Sequence, residues 1–168
     1  MKKLLSVILA VVMTLAFAGC GSAPVTLASV TTAQGVTISL PSDMVKKSDV
    51  LYGSDKGDAL STQTTPSDPS TPLSAWDAEA VKTLYGQTYT EVTVTSFEKD
   101  KTINGNTGFY AFFTAKTKDG QDRGGAIVML TNGTNDYIFN LLYRGDNAKG
   151  SLATNIQACI DSIQLPTK

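Results

Sequence analysis

The sequence predicts an α+β domain in which a mainly antiparallel sheet carries one helix on each face, as a three-layer α/β/α sandwich. Three observations predict this class. Four strand-like segments alternate with Asn-Gly or Asp-Gly turns, two further segments have the apolar spacing of helices, and the last strand segments are apolar on both faces. A cystatin-like α+β fold, with both helices on one face of the sheet, is the alternative.

The predicted strands of the second half are rich in Val, Thr and aromatic residues, which favour extended structure. The last three are apolar at successive positions, and a strand that is apolar on both sides belongs to a sheet covered on both sides. The four strands are predicted at residues 91–99, 107–116, 125–131 and 136–144.

Three dipeptides predict the hairpins that join these strands: Asn104-Gly105, Asp119-Gly120 and Asn132-Gly133. Two-residue hairpin turns need backbone conformations that Asn, Asp and Gly adopt at low cost. The four strands are therefore expected to pair as an antiparallel meander.

Two segments outside the meander have helical spacing. The first is predicted from Ser74 to Tyr85, with Ser74 as its cap and Trp76 on its apolar face. The second is predicted from Ser151 to Ile163, with Cys159 among its apolar positions. Trp76 and Cys159 are both expected to pack in the core, Cys159 as a small apolar side chain rather than a reactive thiol.

The chain before the first helix divides into an apolar and a polar part. Residues 25–40 predict two strands around the turn Ala33-Gln34-Gly35. Residues 42–72 are polar and rich in Pro, Ser and Asp. A short strand is predicted at 50–52 and a weaker one at 59–63, and a long polar loop is expected at about 53–72.

The N-terminal residues have the three parts of a secretion signal: Lys2-Lys3, an apolar run from Leu4 to Phe17, and small residues before Cys20. The apolar run of roughly 14 residues is shorter than the ~20 that a membrane-spanning helix needs. Ordinary secretion with an incidental cysteine and an uncleaved membrane span are the alternatives.

The stretch FAGC at residues 17–20 resembles the lipobox of bacterial lipoproteins. The resemblance implies cleavage between Gly19 and Cys20 and attachment of a diacylglyceryl group, with acyl chains such as palmitate, to the Cys20 thiol. Residues 1–19 would then be the signal peptide and residues 20–24 a short tether. One domain, residues 25–168, follows.

Composition excludes several kinds of function. The chain of 168 residues has a formal charge of −1 and no histidine. Without residues 1–19 it has 12 basic and 15 acidic residues, a net charge of −3, which does not suit a nucleic-acid partner. The lack of histidine removes Ser-His-Asp catalysis and most zinc and copper sites. No catalytic, cofactor-binding or metal-binding residue is therefore predicted.

Three blocks of sequence resemble the PsbP-like family: GVTISLPSDM at 35–44, DYIFNLLY at 136–143 and NIQACIDSIQL at 155–165. The order of elements over residues 25–166 is similar as well. The resemblance implies an α/β/α sandwich around an antiparallel sheet and a role in binding proteins. Photosynthetic members of the family are accessory proteins of photosystem II, a eukaryotic relative binds the Ran GTPase, and many bacterial members are lipoproteins. The family's metal sites use histidine, so none is carried over.

These observations together lead us to expect a non-enzymatic accessory module. It would be held by Cys20 at the extracytoplasmic face of the cell membrane and would bind an unidentified protein partner. Capture of a small ligand, with residues 42–72 closing over one edge of the sheet, is the alternative. An enzyme, which without histidine would need paired carboxylates or a Ser-Lys dyad, is a third hypothesis, and a purely structural role in the envelope is a fourth.

Overall fold

The computed structural model describes residues 25–167. The predicted signal peptide, the Gly19–Cys20 cleavage site and the tether lie outside the described residues. The strands are β1 (Leu27–Thr31), β2 (Thr37–Pro41), β3 (Val45–Ser48), β4 (Leu51–Gly53), β5 (Ala59–Pro66), β6 (Thr90–Ile103), β7 (Asn106–Lys116), β8 (Asp122–Thr131) and β9 (Asn135–Arg144). The α-helices are α1 (Ala78–Gly86) and α2 (Ser151–Asp161).

Seven strands form the main sheet in the order β3-β4-β5-β9-β8-β7-β6, and every neighbouring pair is antiparallel. Strands β1 and β2 form a separate antiparallel pair. The predicted meander is confirmed as β6 to β9. At the first of its turns, Asn104 and Gly105 have φ of 47° and 82°, as a two-residue hairpin turn requires.

The core consists of two clusters, and strand β8 contributes alternate residues to them. Ala126, Val128 and Leu130 belong to the cluster that contains α2 and β2. Ile127 and Met129 belong to the cluster that contains α1. Because successive side chains of a strand point to opposite faces, the two helices cover different faces of β8.

Three aromatic side chains of the α1 cluster stack on one another. Phe109 lies 5.6 Å from Trp76 and 5.1 Å from Phe97, measured between ring centroids. Trp76 is half-buried in this stack, so its predicted packing role is confirmed. Its predicted position on the helix is wrong, because α1 begins only at Ala78.

The start of α1 differs from the prediction because Asp77 caps the helix. The Asp77 carboxylate accepts a hydrogen bond from the Ala80 N–H group at 2.8 Å, as an N-cap side chain does. Ser74 lies in a separate 3₁₀ turn, Leu73–Ala75, and Trp76 is extended. At the other end of the chain, α2 ends at Asp161, two residues before the predicted end.

The predicted long loop at 53–72 is wrong over much of its length. Strand β5 occupies Ala59–Pro66 and pairs with β9 over eight residues. Strand β3, which was not predicted, adds a fully exposed edge of four residues, Val45–Ser48. The polar composition of β5 is explained by the exposure of its last four residues, 63–66. Its partner strand, β9, is distant in sequence, so the pairing leaves no local signal.

None of the helices in residues 25–167 is both long enough and apolar enough to cross a membrane.

Candidate functional site

An open cleft of about 520 Å³ lies where β6 begins and β7 ends. Cross-strand pairing brings β8 and β9 to the same place, because Lys116 pairs with Asp122 and Arg123 pairs with Arg144. We call this end of the sheet the cleft end. The residues around the cleft are Glu91, Val92, Thr93, Thr114, Ala115, Lys116, Asp122, Arg123, Gly124, Tyr143, Gly145 and Ala148.

The wall of the cleft on β6 contains a strained residue. Glu91 has φ of 50°, in the left-handed region that non-glycine residues seldom adopt, and the β6–β7 register shifts between Thr90 and Thr93. Its carboxylate forms an ion pair of 2.8 Å with the Lys116 ammonium group. The hydrogen bond and the charge of Glu91 raise the pKa of Lys116, although the Glu91 side chain is largely exposed to water and the Lys116 side chain is partly exposed.

One side of the cleft is formed by Tyr143, whose ring lies over Gly124. These two residues pair across β8 and β9, and a Cβ atom added at Gly124 would lie 2.5 Å from the tyrosine ring. Only a glycine leaves room for the ring in this position. The tyrosine ring thus closes one side of the cleft next to the Lys116–Glu91 pair.

The cleft is lined by charged side chains of both signs. Lys116 and Arg123 are cationic, and Glu91 and Asp122 are anionic. Residues 25–167 contain no group of three or more metal-binding acidic, cysteine or histidine side chains. The cleft thus offers alternating positive and negative groups beside an aromatic ring, a lining for a zwitterionic or anionic polar group.

A polar cluster joins the cleft end to the N-terminus of α2. Asn147 donates a hydrogen bond of 2.8 Å to Asp58, and Ser151 donates one of 2.7 Å to Asp43. Asp58 is 2% exposed. Burial raises the pKa of its carboxyl group, the bond from Asn147 lowers it, and the nearby charge of Asp43 raises it further. The N-cap residue of α2, Gly150, supplies no side-chain bond of its own.

The residues that the sequence singled out do not meet at one place. Gly19 and Cys20 are outside the described part of the chain. Cys159 is 0% exposed within the α2 cluster, and burial raises the pKa of its thiol to about 12, which confirms its packing role. The predicted turn at Asp119 and Gly120 closes the β7–β8 hairpin.

Sequence reasoning missed Glu91, Lys116 and Asp58 as site residues. A strained backbone angle leaves no signal in a single sequence, and the partners Glu91 and Lys116 are brought together by a hairpin whose bulges shift the register. One available signal was the pair Gly124-Gly125 inside a strand, since glycine there marks a close approach by another group.

A second, smaller cleft of about 290 Å³ lies between α1 and the start of β6. Neither of these two clefts is lined by residues 42–72, where the sequence placed the alternative ligand site.

No protein-family model and no curated protein matches this chain. Several solved structures are similar in fold. A cyanobacterial PsbP from Synechocystis sp. PCC 6803 has a TM-score of 0.61 at 16% identity, over 90% of this chain and 99% of that one. A variant of the protein Mog1 has a TM-score of 0.58 at 10% identity, over 83% and 96% of the two chains. A Pseudomonas aeruginosa protein of unknown function has a TM-score of 0.55 at 10% identity, over 84% and 98%.

At identities this low, a structural likeness shows a similar fold and does not show a shared function. The strand order, the two helices on different faces of β8 and these likenesses agree with one another. The chain therefore has a PsbP-like fold, built on a mostly antiparallel sheet with two helices.

Proposed function

We propose that this chain is a lipid-anchored accessory module on the extracytoplasmic face of the cell membrane, where it binds a protein partner. The FAGC block with Cys20 at residues 17–20 is the observation that carries the proposal. A diacylglyceryl cysteine has two acyl chains, and about two chains are what stable anchoring needs.

The PsbP-like fold supports the second half of the proposal. The family resemblance implies accessory protein binding, and a cyanobacterial PsbP has a similar fold. We propose no enzymatic activity and no nucleic-acid partner. We also propose the finer description of the fold as a three-layer α/β/α sandwich, which the division of α1 and α2 between the two core clusters supports.

In-cell photocrosslinking tests the partner. A crosslinking residue at exposed Thr65 of β5, and another at exposed Lys99 of β6, would sample two separate strands of the sheet in the full-length protein. We expect a reproducible crosslinked product of defined mass in the membrane fraction, lost in a Cys20→Ser variant. Absence of such a product at several exposed positions, in a protein shown to be membrane-bound, would contradict the proposal.

Binding of a small polar ligand is the second candidate function, and the cleft favours it. Its volume of about 520 Å³ falls in the usual range for ligand sites, and strained residues such as Glu91 cluster at such sites. This site is not the one expected at residues 42–72. Ligand screening by thermal shift, with Lys116→Ala as the comparison, would test it.

A further inference from the structure

We infer that the cleft end of the domain faces the anionic surface of the membrane that carries the lipid anchor. The inference rests on the proposed lipidation of Cys20 and adds an orientation and a contact surface to it. Two independent observations carry it: the point where the chain enters the domain, and the distribution of charge along the sheet.

The chain enters the domain at the cleft end. The Ser42 N–H group donates a 2.9 Å hydrogen bond to the Thr26 carbonyl, which holds the first described residues beside Ser42. The next residue, Asp43, accepts the 2.7 Å bond from Ser151 at the start of α2. Ala148, three residues before Ser151, lines the cleft. A short series of contacts thus joins the entry point to the cleft.

The length of the tether limits how far this end can lie from the anchor. Five peptide links separate Cys20 from Val25, and they span at most about 18 Å. Strand β6 alone has 14 residues and is about 46 Å long at ~3.3 Å per residue. A domain standing on this tether therefore brings its cleft end to the membrane and holds the Asn104–Gly105 turn away from it.

Charge is distributed unevenly along the same axis. The segments at the cleft end, together with Glu91 and with Asp49, which forms a 2.8 Å ion pair with Lys46, contain eight basic and eight acidic residues. The other described residues contain three basic and seven acidic ones. The cleft end is thus neutral and the rest of the domain −4, so a negatively charged bilayer repels the rest of the domain and not the cleft end. The segments counted at the cleft end are residues 41–47, 53–58, 116–123 and 144–151.

Side chains suited to this contact are exposed at the cleft end. Lys56, Lys118 and Lys149 lie in three separate turns and form no salt bridge within residues 25–167. Val25 and Val45 are 41% and 51% exposed. Lysines that are free to reach phosphate groups, beside exposed aliphatic residues, are typical of a surface that rests on lipid headgroups.

Depth-dependent fluorescence quenching tests the orientation in the full-length lipidated protein. Ala148→Cys places a label at the cleft end, and Thr134→Cys places one at the opposite turn; both positions are exposed. Cys159 is buried and Cys20 carries lipid, so a thiol-reactive fluorophore reaches only the new cysteine. The protein is reconstituted in phosphatidylcholine–phosphatidylglycerol vesicles that contain a lipid with a nitroxide headgroup.

We expect the label at 148 to be quenched at least several-fold more strongly than the label at 134, and the difference to shrink when phosphatidylglycerol is left out. Equal quenching at the two positions, or stronger quenching at 134, would overturn the inference. The double variant Lys118→Glu/Lys149→Glu should reduce the quenching at 148. The matched control Lys99→Glu/Lys101→Glu, which reverses two lysines of β6 outside the cleft end, should not.

The failure of this inference can be told apart from the failure of the proposed function. Mass spectrometry of the same sample reports whether Cys20 is acylated. An unmodified Cys20 would contradict the lipid anchor itself, whereas an acylated Cys20 with equal quenching at both labels would contradict only the orientation.

Discussion

Asn147 donates a 2.8 Å hydrogen bond to the buried carboxylate of Asp58, although the two residues are 89 positions apart in sequence. Asp58 lies in the turn before β5, and Asn147 precedes α2. Gly150 gives α2 no side-chain cap, and the Asp58 carboxylate from a distant turn lies near the Leu152 N–H group in the first turn of this helix. Its Oδ2 atom is buried without a hydrogen-bond partner among residues 25–167.

The buried carboxylate predicts a specific pH dependence of stability. Burial raises the pKa of Asp58 above its ordinary value of 3.8 in the folded state. A group whose folded-state pKa is raised contributes stability below its unfolded-state pKa, and that contribution is lost as pH rises through the folded-state value. We expect the difference in free energy of unfolding between the unaltered protein and Asp58→Asn to become less favourable to the unaltered protein as pH rises from the unfolded-state pKa of Asp58 to its folded-state pKa.

Urea unfolding at a series of pH values from about 3.5 to 7 measures this difference. Asp55→Asn is the matched control, because the Asp55 side chain is fully exposed (102%). If the free energy of unfolding of the unaltered protein minus that of Asp58→Asn stays constant, or increases with pH, the pKa of Asp58 is not raised in the folded protein.

The packing of Tyr143 over Gly124 predicts a rescue experiment. Gly124→Ala should lower the free energy of unfolding by about 1–3 kcal/mol, because the new methyl group meets the ring. In the Tyr143→Ala background the same substitution should have a much smaller effect. Denaturant unfolding of the two single variants and the double variant gives the coupling energy, and additive effects would contradict the contact.

The left-handed conformation of Glu91 predicts opposite effects for two substitutions. Glu91→Gly relieves a conformation that costs a non-glycine residue about 1 kcal/mol, and it removes only an exposed ion pair. Glu91→Val places a β-branched residue in the same conformation. We expect the Gly variant to be at least as stable as the parent and the Val variant to be less stable, as measured by thermal unfolding. If the Val variant is as stable as the Gly variant, the backbone at residue 91 is not strained, and the prediction is wrong.

The buried thiol of Cys159 should be unreactive in the native protein. Its pKa is raised to about 12 by burial, so almost no thiolate is present near neutral pH. We expect slow reaction with a disulfide reagent in buffer and complete reaction in denaturant. Rapid modification of the folded protein would contradict the packed position of Cys159 in the α2 cluster.

The strands of the meander could be predicted because their signals are local. Asn104-Gly105 requires positive φ at both positions of its turn, and the flanking residues form strands on either side. Strand β5 could be predicted only in part. Thr64 and Thr65 favour a strand, but Pro66 does not and two further prolines follow it, at positions 69 and 72. The pairing of Thr64 to Pro66 with Asn135–Tyr137 depends on a segment about 70 residues away.

The candidate site was less accessible to sequence reasoning than the fold. The ion pair between Glu91 and Lys116 depends on the register of a bulged hairpin, and the contact of Asp58 with Asn147 depends on how α2 docks. Neither depends on a local pattern. Asp77 illustrates the same difficulty within one turn: Ser74 and Asp77 are both good caps, and the extended conformation of Trp76 decides between them.

Intact-mass and peptide mass spectrometry of the mature protein, isolated from membranes, tests the lipid anchor most directly. We expect a protein that begins at Cys20 and carries a diacylglyceryl group on that residue's thiol. A mature chain with a free thiol at Cys20, or with its first residue elsewhere, would contradict it.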